Sequence, residues 1–167
     1  MRFTLAAACR SLAGCLFALA LAAPALAAQP KAATVLDLAA QQKNLTTFVA
    51  AVHMAGLDDM LKAAGPLTVY APTDDAFAKM SAADRDALMH NPDRLKDLIL
   101  GCVLKDEVVM HSGDSSVSTG YMPSAAGRNL TFALDGDRQT VGGAHLVSTD
   151  MRAGNGYLDT IDKVLLP

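Results

Sequence analysis

Tryptophan is absent from this chain of 167 residues, aromatic residues make up only 5% of it, and glutamate occurs once, as Glu107. Cysteine is nearly as scarce. Cys9, Cys15 and Cys102 are too few for a disulfide-built scaffold. The 14 basic residues form no stripe that would neutralise phosphates, which excludes a nucleic-acid binder. His53, His90, His111 and His145 share no metal-ligand spacing, and neither His-x-His nor HExxH occurs. A Gly-x-Ser-x-Gly elbow is missing too. His111-Ser112-Gly113-Asp114-Ser115 holds hydrolase residue types in a polar loop without the strand-turn-helix setting they need. The chain is therefore read as non-enzymatic, with no cofactor and no metal. What it has in quantity is apolar surface: 51% of residues are hydrophobic, which excludes intrinsic disorder and suffices for the core of one domain.

Part of that apolar content lies in the first 27 residues. Arg2 and Arg10 precede an apolar run from Ser11 to Ala23, and Ala25-Leu26-Ala27 supplies a small-x-small cleavage pattern. The run is short, Ala-rich and broken by Pro24, so it predicts a cleaved secretory signal over 1–27 and not a membrane span. The expected location is the periplasm or the exterior. Taking 27 residues from 167 leaves 140. Losing two of 14 basic residues leaves 12 against 17 acidic, a net charge of −5. Cys102 remains as the sole thiol. Leu12-Ala13-Gly14-Cys15 also matches a lipoprotein box, but Leu16 to Ala23 continues the apolar run that such a box normally closes. A lipid anchor at Cys15 is the alternative to a soluble mature form.

After a short tail over 28–33, the chain reads as one module over 34–167. Its first half carries helical signals. Asn44 is the expected cap of a helix with Leu45, Phe48, Val49 and Val52 on one face, closed by Gly56. Leu57, Met60, Leu61 and Ala64 repeat the period up to Gly65-Pro66. Leu67 to Tyr70 is a short strand bounded by prolines, and Thr73 or Asp74 caps a helix carrying Phe77 and Met80. Ser81 and Asp84 resemble a capping box, and Asn91-Pro92 opens a further helix. The second half shifts to short alternating segments over 130–134, 138–141, 145–149 and 157–161. Asp135-Gly136, Gly142-Gly143 and Asn155-Gly156 separate them as hairpin turns, and Lys163 to Leu166 reads as a closing strand. Helices first and a β-meander after predict an α+β fold.

Two segments carry a resemblance. Thr68-Val69-Tyr70-Ala71-Pro72-Thr73-Asp74-Asp75-Ala76-Phe77 is similar to the first motif of the fasciclin (FAS1) domain. Asn155-Gly156-Tyr157-Leu158-Asp159-Thr160-Ile161-Asp162-Lys163-Val164-Leu165-Leu166-Pro167 resembles that family's second motif. Their order and separation match as well, as does Thr34-Val35-Leu36-Asp37-Leu38-Ala39. Taken as residues, both segments are structural: Val69 and Tyr70 favour a strand, Pro72 stops it, and Asn155-Gly156 makes a tight turn. Leu158, Thr160 and Asp162 alternate as in a half-buried strand. The resemblance implies a wedge-like β-sandwich with an N-terminal helical layer, and adhesion or binding at the cell envelope. Two positions depart from the family. Its Tyr-His pair, tied in animal members to integrin-mediated adhesion, is matched here by Gly101-Cys102, and a frequent His of the second motif by Asp159. No receptor-binding role is carried over.

The remaining candidates have plain readings. Leu95, Leu98, Ile99 and Cys102 share a helix face, so Cys102 is expected to be a buried, inert thiol. Asp58-Asp59 and Asp74-Asp75 suit helix N-termini. His53 is expected to be partly buried. Asp135-Gly136-Asp137 lacks the further oxygens of a calcium loop. The segment Asp106 to Ser124 is the expected contact surface, with Val117, Tyr121 and Met122 assigned to the core. The expected partner is an envelope, matrix or host-surface protein or glycan, with no nucleic acid and no integral membrane segment after cleavage. The alternative function is a carrier for a small apolar ligand or lipid.

Overall fold

A computed structural model describes residues 33–106, 120–136 and 138–166. The expected signal, most of the tail, Cys15, the 111–115 loop, Val117 and Pro167 lie outside the described residues. Six helices come first or flank the first strand: α1 (Val35–Gln41), α2 (Thr46–Ala55), α3 (Asp58–Lys62), then β1 (Leu67–Pro72), α4 (Asp74–Ala78), α5 (Ala82–Met89) and α6 (Pro92–Gly101). The strands that follow are β2 (Val103–Leu104), β3 (Gly120–Pro123), β4 (Asn129–Asp135), β5 (Arg138–Val141), β6 (Ala144–Ala153) and β7 (Gly156–Ile161). This is the expected α+β arrangement.

Local chemistry sets most helix ends. Thr34 and Asp37 form a reciprocal capping box on α1, Thr73 accepts from the Ala76 amide, and Asn91 accepts from the Arg94 amide ahead of Pro92. Ser81 caps α5 by accepting from the Asp84 amide, but the Asp84 carboxylate accepts from the Ser81 hydroxyl and not from its backbone. Gly56, at φ 66°, ends α2 in the left-handed region that a Cβ disfavours.

The strands run in the order β2-β1-β7-β6-β5-β4-β3. β1 and β7 pair in parallel at the centre, Leu67 opposite Gly156 and Pro72 opposite Ile161; the other ladders are antiparallel. β6 passes the ladder from one half to the other. Ala144 and His145 pair with β5, Leu146 to Ala153 with β7, and the register slips twice in between. The two halves then face each other. Tyr70 on β1 meets Phe132 on β4 edge-on, with ring centroids 5.9 Å apart, although four steps of the strand order separate them. The β3–β4 turn closes the other side, with the Ala125 and Ala126 amides donating to the Val103 and Leu100 carbonyls. One continuous core results, from Val35 and Phe48 through Leu95, Leu98 and Ile99 to Leu158 and Ile161.

Several expectations fail on non-local grounds. Asn44 does not cap α2: the N-cap is Leu45, without a side-chain bond, and Asp74 at the start of α4 supplies the acceptor. Lys163 to Leu166 forms no strand, because Val164 and Leu165 turn inward as irregular chain. The last hairpin turns at Gly154-Asn155, leaving Gly156 as the first residue of β7. β7 is buried on both faces over Leu158–Ile161, as suits a central strand, and does not alternate. Gly120 to Pro123 is a strand and not a loop. Tyr121 and Met122 project from it to solvent instead of into the core. His53 is exposed and pairs with Asp58 across the α2–α3 turn.

Candidate functional site

Both motifs meet in space, since the first motif contains β1 and the second β7. Thr68, Val69, Tyr70, Ala71 and Pro72 are buried along their whole length. Beyond the strand, the Thr73 amide donates to the Ile161 carbonyl, and Ala76 and Phe77 enter the core. Asp74 acts outside its own helix. Its carboxylate accepts from the Thr47 amide at 2.7 Å, the Thr46 amide at 3.3 Å and the Thr46 hydroxyl at 2.8 Å. Burial works against its charge, but these bonds outweigh it and hold the carboxyl below its ordinary range. Asp75 stays exposed.

At the other end of the pair, Asn155 ties three elements together. Its side-chain oxygen accepts from the Val35 amide at 2.8 Å, and its amide donates to the Leu61 and Ala63 carbonyls at 2.9 and 2.7 Å. Its carbonyl accepts from the Leu67 amide. Gly156 lies so close to β1 that a Cβ would stand 1.8 Å from the Leu67 carbonyl oxygen. Asp162 brackets β6. One oxygen accepts from the His145 amide at 2.9 Å and the other faces the Lys79 ammonium at 3.4 Å. Burial again raises its pKa and these partners more than reverse it.

Asp159 is the exception. It is fully buried opposite Tyr70. One carboxylate oxygen accepts from the Asp150 amide at 2.7 Å, while among the described residues the other and the Tyr70 hydroxyl have no hydrogen-bond partner. Asp150 offers its amide from a β6 bulge at φ 60°, a rare conformation for a non-glycine residue. Burial, aided by the Asp150 charge, pushes the Asp159 pKa up to about 7 against that one stabilising bond. The same burial, with the Asp159 and Asp150 charges, drives the Tyr70 pKa upward. The sequence marks Asp159 only as a departure. Its burial follows from β7 lying at the centre of the sheet, which no local pattern reveals.

Gly101 and Cys102 close α6. Cys102 is fully buried, and loss of solvation, partly offset by the Arg128 charge, pushes its thiol up to about 12, so the thiolate is not available. A Cβ on Gly101 would meet the Arg128 Nη2 at 2.2 Å. The guanidinium therefore fills the space that a side chain at 101 would take. Among the described residues no three His, Cys, Asp or Glu side chains converge on a metal position.

A family model for the fasciclin domain matches residues 43–167. The chain belongs to the fasciclin-domain family. It is 36% identical to the protein sll1483 of Synechocystis over 84% of this chain and 77% of that protein. It is 30% identical to the transforming growth factor-beta-induced protein ig-h3 of Sus scrofa over 75% of this chain, but spans only 18% of that relative. A FAS1 domain pair from the insect cell adhesion molecule fasciclin I aligns at a TM-score of 0.61 with 17% identity, covering 74% of this chain and 46% of that one. That likeness shows the FAS1 fold. Ahead of the matched range, α1 packs Val35, Leu36 and Ala39 into the same core. The two motifs build the centre of the fold. Most of their residues are out of reach of a partner; Leu166 is the exposed apolar side chain within them among the described residues, and the others lie elsewhere, at Met54, Tyr121, Met122, Leu134 and Val147.

Proposed function

We propose that this fasciclin-domain protein is a non-catalytic binding module of the periplasm or cell exterior, mediating adhesion to an envelope, matrix or host-surface protein or glycan. The supporting observation is Tyr121. Among the described residues it is an aromatic side chain 73% exposed, on a strand that pairs on one side only, with β4. A large amphipathic ring in water at a sheet edge is a common anchor of protein and sugar contacts. Met122 beside it is 38% exposed. The signal-like pattern of residues 1–27 supports export, and no helix among the described residues is long and apolar enough to cross a membrane.

The test uses a cross-linked pull-down from native envelope, with purified wild type and Tyr121→Ala as paired baits. A partner retained by wild type and lost by the variant supports this surface. Equal recovery by the two baits would refute it. No partner on either would count against adhesion altogether.

A further inference from the structure

Beside Gly101 a cavity of about 370 Å³ opens between the end of α6, the start of β4, the β5–β6 turn and the chain after β7. Its size suits a small-molecule site. Its walls divide by chemistry. Leu130, Val164 and Leu165 are at most 8% exposed and form an apolar floor, while Leu166, 55% exposed, stands at the mouth. Arg128 and Lys163 supply two cations. Among the described residues neither has a carboxylate within ion-pair distance, in a chain with more acidic than basic residues.

The Arg128 guanidinium is also positioned. One Nη2 donates to the Asp97 carbonyl at 3.0 Å, and the missing Cβ of Gly101 gives the group its seat. A guanidinium has five N–H donors, so most remain for a ligand. A fixed, unneutralised fork of donors above an apolar floor matches a head-and-tail molecule. A neighbouring cavity lined by Lys79 and His145 lacks this, because Lys79 already donates to Asp162.

We propose that this cavity binds a single-chain amphiphile with a carboxylate or phosphate monoester head, the head on Arg128 and the alkyl chain on Leu130, Val164 and Leu165. Lys163 adds charge at the rim. This goes beyond the adhesion reading and does not depend on it.

The experiment is a two-dimensional NMR titration of the purified protein at pH 7 with decanoate and decyl phosphate below their micelle concentrations. Decanol and decyltrimethylammonium are the controls. Saturable shifts are expected at Gly101, Arg128 to Leu130, Gly142 and Lys163 to Leu166, at least tenfold weaker with decanol and absent with the cation. Tighter decanoate indicates a fatty-acid source, tighter decyl phosphate a phosphorylated lipid; either supports the site. Arg128→Gln should weaken binding tenfold or more, as should Gly101→Ala, which displaces the guanidinium without removing its charge. Lys96→Gln, on the exposed side of α6, should change nothing. Unsaturable or scattered shifts, decanol binding as tightly as decanoate, or Arg128→Gln matching wild type would each overturn the proposal.

Discussion

The β1–β7 pair and the β3–β4 edge are built under opposite rules. In the central pair nearly every side chain is buried, and three polar residues just beyond its ends, Asn155, Asp74 and Asp162, each tie distant elements together. At the edge, β4 alternates between exposed and buried residues, and Tyr121 on β3 lies in water. A substitution in the centre therefore touches backbone or an occupied hydrogen-bond site, while one at the edge touches solvent. The residues that carry the family resemblance are thus the ones that build the frame. The exposed side chains of the β3–β4 edge, Tyr121 above all, stand outside that frame.

The sharpest way to break this contrast is Gly156→Ala. The new methyl group would collide with the Leu67 carbonyl, and neither backbone has room to move, so a loss of about 4 kcal/mol or more is expected in chemical denaturation. A loss under 1 kcal/mol would mean the central pair is not rigid.

Asp159→Asn should act in the opposite direction. The folded carboxyl titrates near 7 against 3.8 when unfolded, so the folded state holds the proton more tightly. Its contribution is full below about pH 4 and is lost as pH rises through about 7. Asparagine keeps the acceptor for the Asp150 amide and removes the buried charge. The variant should gain on the order of 3 kcal/mol over wild type at pH 8, and little at pH 4. Urea midpoints at the two pH values measure the difference, and a gain that is the same at both would overturn the assignment to Asp159.

Asp74→Ala is expected to cost about 1–2 kcal/mol at pH 7 by uncapping α2. Because the Asp74 pKa is lowered on folding, this contribution is present above the ordinary carboxyl range and fades as pH falls through the lowered value. The gap between variant and wild type should close in strong acid. Tyr121→Ala, at the edge, should leave stability within about 0.5 kcal/mol of wild type, measured by thermal unfolding. A larger loss would place the ring in the frame.

The same contrast explains what was legible in the sequence. Caps at Thr73, Ser81 and Asn91, the left-handed stop at Gly56 and the Gly142-Gly143 turn use partners within a few residues, and local spacing reveals them. Asp74 serving α2 spans 27 residues, and Asn155 reaching Val35 spans 120. Nothing local separates these side chains from ordinary turn residues. β3 was hidden because four residues with a glycine and a proline carry almost no periodicity. The seat of Arg128 over Gly101 was hidden as well, since a missing side chain gains meaning only when another fills its place.

The parallel pairing of β1 with β7 also sets the order in which the molecule is completed. β1 lies between β2 and β7, yet β7 is separated from it by the whole of the intervening chain. Contacts so distant in sequence form late, after a costly loop has closed. A chain being made from its amino end has helices and β1 in hand well before the strand that completes them. Until residues 156–161 emerge, the central strand keeps one open side. A fold closed by β7 is thus completed only when nearly the whole domain has been made.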